Sequence, residues 1–372
     1  MQKNNKIKLN TFLSPLSFLY GIGVWLRNRL FDWDVLHSEQ YSIPVICIGN
    51  LSAGGTGKTP HTEYLIRLLK DRYRIAVLSR GYKRKTSGFI LANSESTSLD
   101  IGDEPFQMKN KFSDILVAVD ANRRRGIQTL LSLPETERPE VILLDDAYQH
   151  RYVHPSLSIV LTDYHRLFYH DKLIPTGHLR EQISNINRTD IVIVTKCDEE
   201  MKPIDFRIIE ENMKLRAHQL LFFSSIVYGK IEPVFPSEAY PSNPIVMEKE
   251  KEEDILLISG IAAPTPFIRE AEKYSNKVLP IIFPDHHTFS KSDFKKMDMT
   301  FKKMTSQRKL ILVTEKDAAR LKSNPFVPES WKKSLYYLPI VIRFHNEQSF
   351  DETIKKHIIT FKKNSILQNK YE

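Results

Sequence analysis

Lys58 and Thr59 close a short run, Ser52-Ala53-Gly54-Gly55-Thr56-Gly57, and these are residue types that suit a bound triphosphate. Glycines let backbone N–H groups turn inward around phosphate oxygens, and a helix starting at the lysine adds partial positive charge. In such a loop the lysine reaches the β- and γ-phosphates, and the hydroxyl ligates Mg²⁺. The spacing G-x-x-x-x-G-K-[ST] asks for glycine at position 52, where this chain has Ser52. Gly54 and Gly55 are then expected to supply the flexibility. The plainer alternative is a glycine-rich turn with no ligand.

Other clusters carry compatible chemistry. Asp145 and Asp146 end the apolar run Val141-Ile142-Leu143-Leu144 and lead into Ala147-Tyr148-Gln149-His150-Arg151. Carboxylates at the end of a buried strand are what a Mg²⁺-supporting motif looks like beside a phosphate loop; strand-end carboxylates in solvent are the other reading. Ser79-Arg80-Gly81-Tyr82-Lys83-Arg84-Lys85 is either an anion-facing loop or a solvated basic one. Arg123, Arg124 and Arg125, after another apolar run, again suggest a loop that faces an anion. Gly102-Asp103-Glu104-Pro105 reads by itself as a turn with an Asp N-cap, and His286, alone after a strand, as a structural histidine.

The elements that must hold these groups are legible as alternating apolar runs and helical spacings. Strands are predicted at Val45–Ile48, Arg74–Leu78, Ile115–Val119, Val141–Leu144, Ser158–Asp163 and Asp190–Thr195. Strands that alternate with helices predict an α/β fold, a mostly parallel sheet with helices on both faces, in which ligands bind beyond the strand C-termini. Residues 200–250 change character, with a charged helix, a strand and then Pro233, Pro236, Pro241 and Pro244. A second strand–helix series follows, at Ile255–Ser259, Leu279–Phe283 and Lys309–Val313. The expected organisation is an N-terminal helix over 1–40, a nucleotide-binding unit over 41–250 and a smaller α/β unit over 251–372. The basic tail from Lys355 is expected to be partly disordered.

Composition is that of a globular chain, 41% apolar and 27% charged. Two cysteines, Cys47 and Cys197, in apolar contexts argue against a disulfide framework and for a reducing compartment. The net charge of +9 favours anionic partners, which could be nucleic acid, phospholipid or a phosphorylated substrate. No nucleic-acid recognition motif is present, and no obligate protein partner is evident. The N-terminal segment is distinctive. Leu16 to Trp33 is rich in large apolar residues, with lysines before it and Arg27 and Arg29 within it. Its uncharged stretch falls short of the ~20 apolar residues of a spanning helix. It fits an amphipathic helix in a membrane interface, or else one packed on the protein's own core.

Taken together, PLSFLYG, GNLSAGGTGKTP, LSRGYKRK, GDEPF, DDAYQH, LIPTGHLRE, FPDHHTF and TEKDAAR, in that order, resemble the tetraacyldisaccharide 4′-kinase family of lipid A biosynthesis. The phosphate loop is shared by many NTPases, whereas GDEP, DD-x-x-QH and TEKDA in series are specific. The resemblance implies a P-loop NTPase-like kinase that uses ATP and Mg²⁺ to phosphorylate the 4′-hydroxyl of a tetraacylated glucosamine disaccharide 1-phosphate. It also implies a peripheral protein on the cytoplasmic face of the bacterial inner membrane. By the same resemblance Asp103 is the base and His286 its partner, with Lys58 also catalytic. Ser52 to Thr59 hold the nucleotide, and Tyr82, Arg123 and Arg180 bind substrate. Thr59, Asp145, Asp146 and Glu181 are assigned to the metal. The family commonly has Gly where this chain has Ala147, and Ala and Pro at Thr176 and His178; these departures touch loop shape.

Two other readings share the loop. A regulatory GTPase would read guanine through N-K-x-D, and Thr195-Lys196-Cys197-Asp198 has threonine in place of asparagine. A membrane-partitioning ATPase of the deviant phosphate-loop class would carry a second lysine at position 53, where this chain has Ala53.

Overall fold

The computed structural model describes residues 9–238, 254–285, 287–306, 309–322 and 324–368. Strands of the first series are β1 (Val45–Asn50), β2 (Ile75–Ser79), β3 (Ile90–Leu91), β4 (Leu116–Val119), β5 (Val141–Asp145), β6 (Leu157–Asp163), β7 (Ile191–Thr195) and β8 (Leu220–Tyr228). The second series comprises β9 (Glu232–Pro233), β10 (Asp254–Ser259), β11 (Lys277–Ile282), β12 (Lys309–Thr314) and β13 (Leu335–Leu338), before β14 (Ile340–Phe344). Ten helices accompany them among the described residues: α1 (Ser14–Asp32), α2 (Lys58–Leu69), α3 (Ser98–Ile101), α4 (Asp103–Lys111), α5 (Arg123–Leu131), α6 (Pro203–Met213), α7 (Thr265–Ala271), α8 (Lys291–Lys303), α9 (Glu315–Lys322) and α10 (Glu347–Gln368).

The apolar runs form strands covered on both sides, because a parallel sheet between helix layers buries both of its faces. Every residue of β1 is buried. Ile46 and Ile48 point to one core, shared with Leu65, Ile66 and Leu69 of α2. Val45 and Cys47 point to the other, with Ile127 and Leu130 of α5 and Ile209 and Met213 of α6. The sheet order is β14-β8-β7-β6-β1-β5-β2-β4-β3, so β5 and β6 flank β1 on opposite sides. The order of strand addition thus reverses at β1, and ligands of such sheets bind beyond the strand C-termini at that reversal. The phosphate loop leaves β1 at this point.

The second sheet, β11-β10-β12-β13-β9, is parallel except for β9. The two sheets do not follow the split expected at residue 250. β9 joins the second sheet before that point, and β14 returns to the first, antiparallel to β8. Its return covers β8, which would otherwise be an open edge. The tail expected to be partly disordered is helical through Gln368, and Phe350, Ile354 and Ile358 are buried in the first sheet's core. Phe350 stacks on Phe344 with ring centroids 4.0 Å apart, which ties α10 to β14.

Helix α1 is docked by polar contacts along one side. The Ser17 hydroxyl donates to Thr176 Oγ1 (2.6 Å), Tyr20 OH to the Arg180 carbonyl (2.8 Å) and Arg27 Nη2 to the Gln149 carbonyl (2.9 Å). Phe12, Leu16, Phe18, Leu19, Ile22 and Trp25 are exposed. Among the described residues no helix is long and apolar enough to cross a membrane.

Candidate active site

The phosphate loop is built as much by the segment opposite as by its own glycines. Ser52 forms an isolated antiparallel bridge with Leu179, the Arg180 N–H donates to Leu51 O (2.7 Å), and the Ala53 N–H donates to His178 O (2.6 Å). That bridge is why serine serves at position 52: the backbone there does not take the left-handed conformation that favours glycine. Gly54 and Gly57 do, with φ of +107° and +87°. Gly55, expected to share this task, does not. Arg166 holds the loop's outer side by donating to Ala53 O (2.9 Å).

The end of the loop is braced from within. Thr56 is buried, its hydroxyl accepting from Asn50 Nδ2 (2.9 Å) and its carbonyl from the Thr195 hydroxyl (2.9 Å). Lys196 pairs with Asp163 at 2.6 Å, so the threonine and lysine weighed as a guanine-reading motif brace the loop and its neighbouring strand. The His61 ring donates from Nδ1 to Gly57 O (2.7 Å) and accepts at Nε2 from Ser224 Oγ (2.9 Å). Burial pushes this histidine down to about 4, so it is neutral, as those two bonds require.

Charge gathers where β1, β5 and α2 meet. Lys58, the first residue of α2, brings Nζ to 3.6 Å from Asp146 Oδ1, and Arg180 Nη1 lies 3.4 Å from the same oxygen. Asp146 has φ +48°, a strained setting for a non-glycine residue. Asp145 is buried behind it, accepting from the Thr62 hydroxyl (3.3 Å) and the Ser79 hydroxyl (3.5 Å). Desolvation, then the charges of Glu104 and Asp146, push Asp145 up to about 7, against the pull of Lys58 and Arg123. Arg123 is itself buried, donates to Asp120 O (2.7 Å) and to Asp145 O (3.4 Å), and is lowered to about 10, chiefly by desolvation. Its Nε has no partner among the described residues.

Lys58, Asp145, Asp146, Arg123 and Arg180 are therefore brought together. Thr59 follows Lys58 in the first turn of α2 and is partly buried. Glu181 is buried close by in sequence, but its Oε2 accepts from Arg188 Nη2 (2.7 Å), while Oε1 has no partner among the described residues. Tyr82 is exposed, with the Lys83 ammonium 5.8 Å from its ring centroid. Asp103 begins α4, and its Oδ2 accepts from Arg320 Nη2 (2.7 Å) and Nε (3.0 Å). His286, its expected partner, lies outside the described residues.

Three groups escaped the sequence reading. Glu104 acts on Asp145 through space, Gln149 Nε2 donates to Asn50 O (2.7 Å) at the start of the loop, and Arg320 meets Asp103. All lie within motifs singled out above, which was the available signal; their partners are remote in sequence. Among the described residues no three His, Cys, Asp or Glu side chains form a metal cage. Mg²⁺ is commonly held by one or two carboxylates together with substrate phosphates rather than by a dedicated protein cage. A buried carboxylate pushed up and an unpartnered Glu181 oxygen are suitable donors.

A family model described as Tetraacyldisaccharide-1-P 4′-kinase matches residues 9–359. The chain belongs to this family. It is 58% identical over 366 residues to the tetraacyldisaccharide 4′-kinase of Parabacteroides distasonis, covering 98% of this chain and 99% of the relative. It is 50% identical over 359 residues to that of Bacteroides thetaiotaomicron, covering 95% and 94%. A crystal structure of the "apo" form of LpxK from Aquifex aeolicus in complex with ATP is similar in fold, with a TM-score of 0.72 and 28% identity, covering 94% of this chain and 99% of that one. The family match spans α1, both sheets and every described site residue.

Proposed function

We propose that this chain transfers the γ-phosphoryl group of ATP to the 4′-hydroxyl of a tetraacylated glucosamine disaccharide 1-phosphate. The observation that carries this reading is the convergence of Lys58, Arg180 and the Asp145–Asp146 pair at the end of a braced phosphate loop in a member of this kinase family. Phosphoryl transfer needs in-line positioning and neutralised charge more than covalent chemistry. Lys58 and Arg180 supply positive charge toward the phosphates, and the loop's N–H groups orient them. Thr59, Asp145, Asp146 and Glu181 would hold Mg²⁺, which would supply positive charge against that developing on the phosphates. Asp103 would accept the acceptor hydroxyl's proton, with His286 as its partner in that role. Arg123, Tyr82 and Arg180 would meet the substrate.

The acylated acceptor accounts for the N-terminal helix. Its exposed Leu16, Phe18, Leu19 and Trp25 would lie in the interface of the cytoplasmic leaflet of the inner membrane, with the cationic chain drawn to anionic headgroups. Incubation of the purified protein with [γ-³²P]ATP, Mg²⁺ and a dispersed disaccharide 1-phosphate acceptor tests the reading. Label is expected on the lipid at the 4′ position. Hydrolysis of ATP with no labelled lipid, under conditions where a control lipid A 4′-kinase labels it, would contradict it.

A further inference from the structure

The motif TEKDAAR opens α9 in the second unit, and its arginine reaches across to the first. Arg320 Nη2 and Nε both donate to Asp103 Oδ2, at 2.7 and 3.0 Å. The contact is enclosed: the Arg320 side chain is 9% exposed and that of Asp103 28%. The guanidinium is also held from behind. Arg320 Nη1 donates to Asp317 Oδ1 (3.2 Å), and Asp317 is fully buried, its Oδ2 accepting from the Gly260 N–H (2.9 Å) and the Thr314 hydroxyl (2.7 Å). A planar fork fixed on one edge by an anchored carboxylate presents its other edge in one orientation. One turn earlier on α9, Lys316 lies 3.4 Å from Asp285. One helix face thus touches carboxylates of both units.

We propose that Arg320 is the positioning residue of the transfer site: docked from the second unit, it sets the orientation in which the Asp103 carboxylate receives the acceptor's proton. This rests on the reading of Asp103 as the base. In that step the acceptor O–H bond breaks and its proton passes to Asp103, the freed oxygen bonds the γ-phosphorus, and the bridging oxygen leaves with ADP. Arg320 exchanges no proton. The base is competent only when α9 lies against α4, which couples docking of the two units to chemistry.

The test compares kcat and the ATP KM of the full chain with Arg320→Gln, Arg320→Lys and Asp103→Asn, alongside thermal midpoints. Arg320→Gln is expected to lower kcat about 10–100-fold, part of what a general base contributes, with the ATP KM within about twofold. Arg320→Lys keeps the charge without the fork and should fall between wild type and Arg320→Gln at a wild-type thermal midpoint; it also serves if Arg320→Gln does not fold. A slow Asp103→Asn beside Arg320 variants at wild-type kcat would overturn the positioning role alone. A raised ATP KM with unchanged kcat would overturn it too. Near-normal turnover of Asp103→Asn would remove the base reading and, with it, this proposal.

Discussion

The phosphate loop and the face of α9 both present charged groups, yet they are built in opposite ways. The loop is contiguous: strand, glycines and helix follow one another over residues 45–69, and the backbone sets the geometry. The α9 face works through side chains whose partners are remote; Arg320 and Asp103 are 217 residues apart. Glu104, beside Asp103 on α4, also acts on Asp145, so the two constructions meet. The contrast suggests a division of labour, in which the first region holds the nucleotide and the second aligns the group that activates the acceptor.

Within the loop region, removing its own cation gives the largest expected effect. Lys58→Ala should lower kcat by about 10²–10³ or more, the loss typical of a preorganised charge at a transition state. Steady-state turnover of the folded variant checks this, and near-normal turnover would take the loop out of catalysis.

The contact between units is next. Lys111 on α4 lies 2.6 Å from Glu63, which is buried in α2, and also bonds Glu315 on α9, which in turn accepts from the Ile340 N–H (3.2 Å). Lys111→Ala leaves two carboxylates facing each other. The expected loss of stability is about 2 kcal/mol, below the ~3–5 kcal/mol of fully buried pairs because the lysine side chain is 21% exposed. Urea unfolding measures it; an unchanged midpoint would mean that the units dock without this lysine.

The sequence revealed the first region far better than the second. β1, the glycine loop and the Asp145–Asp146 strand end are local patterns, and their positions follow from alternation and spacing. Ser52 looked like a defect because its bridge to Leu179 is a tertiary contact. β14 and α10 read as a continuation of the second series, since nothing in Ile340–Phe344 itself says which sheet's edge it will cover. Arg320 stood inside a quoted motif without a role, because that role depends on which carboxylate α9 meets. Glu181 was readable as an acidic residue beside Arg180, but not its pairing with Arg188.

A smaller effect concerns Asp145, lifted from 3.8 to about 7, mainly by desolvation. A carboxyl raised in the folded state stabilises most at pH values below its unfolded pKa, and that contribution is lost as pH rises through 7. Asp145→Asn should therefore raise the thermal midpoint of the nucleotide-free protein at pH 8 while leaving it nearly unchanged near pH 4. The expected gain is a few degrees. A variant less stable than wild type at pH 8 would mean that the carboxylate is well compensated in its pocket.

The division of labour is tested most directly by measuring ATP affinity and turnover together in Asp103→Asn. If the loop region holds the nucleotide and the α4–α9 contact aligns the base, ATP should bind within about threefold of wild type while kcat falls about 10²–10⁴-fold. Loss of ATP binding in step with turnover would contradict it, because Asp103 would then belong to the nucleotide site.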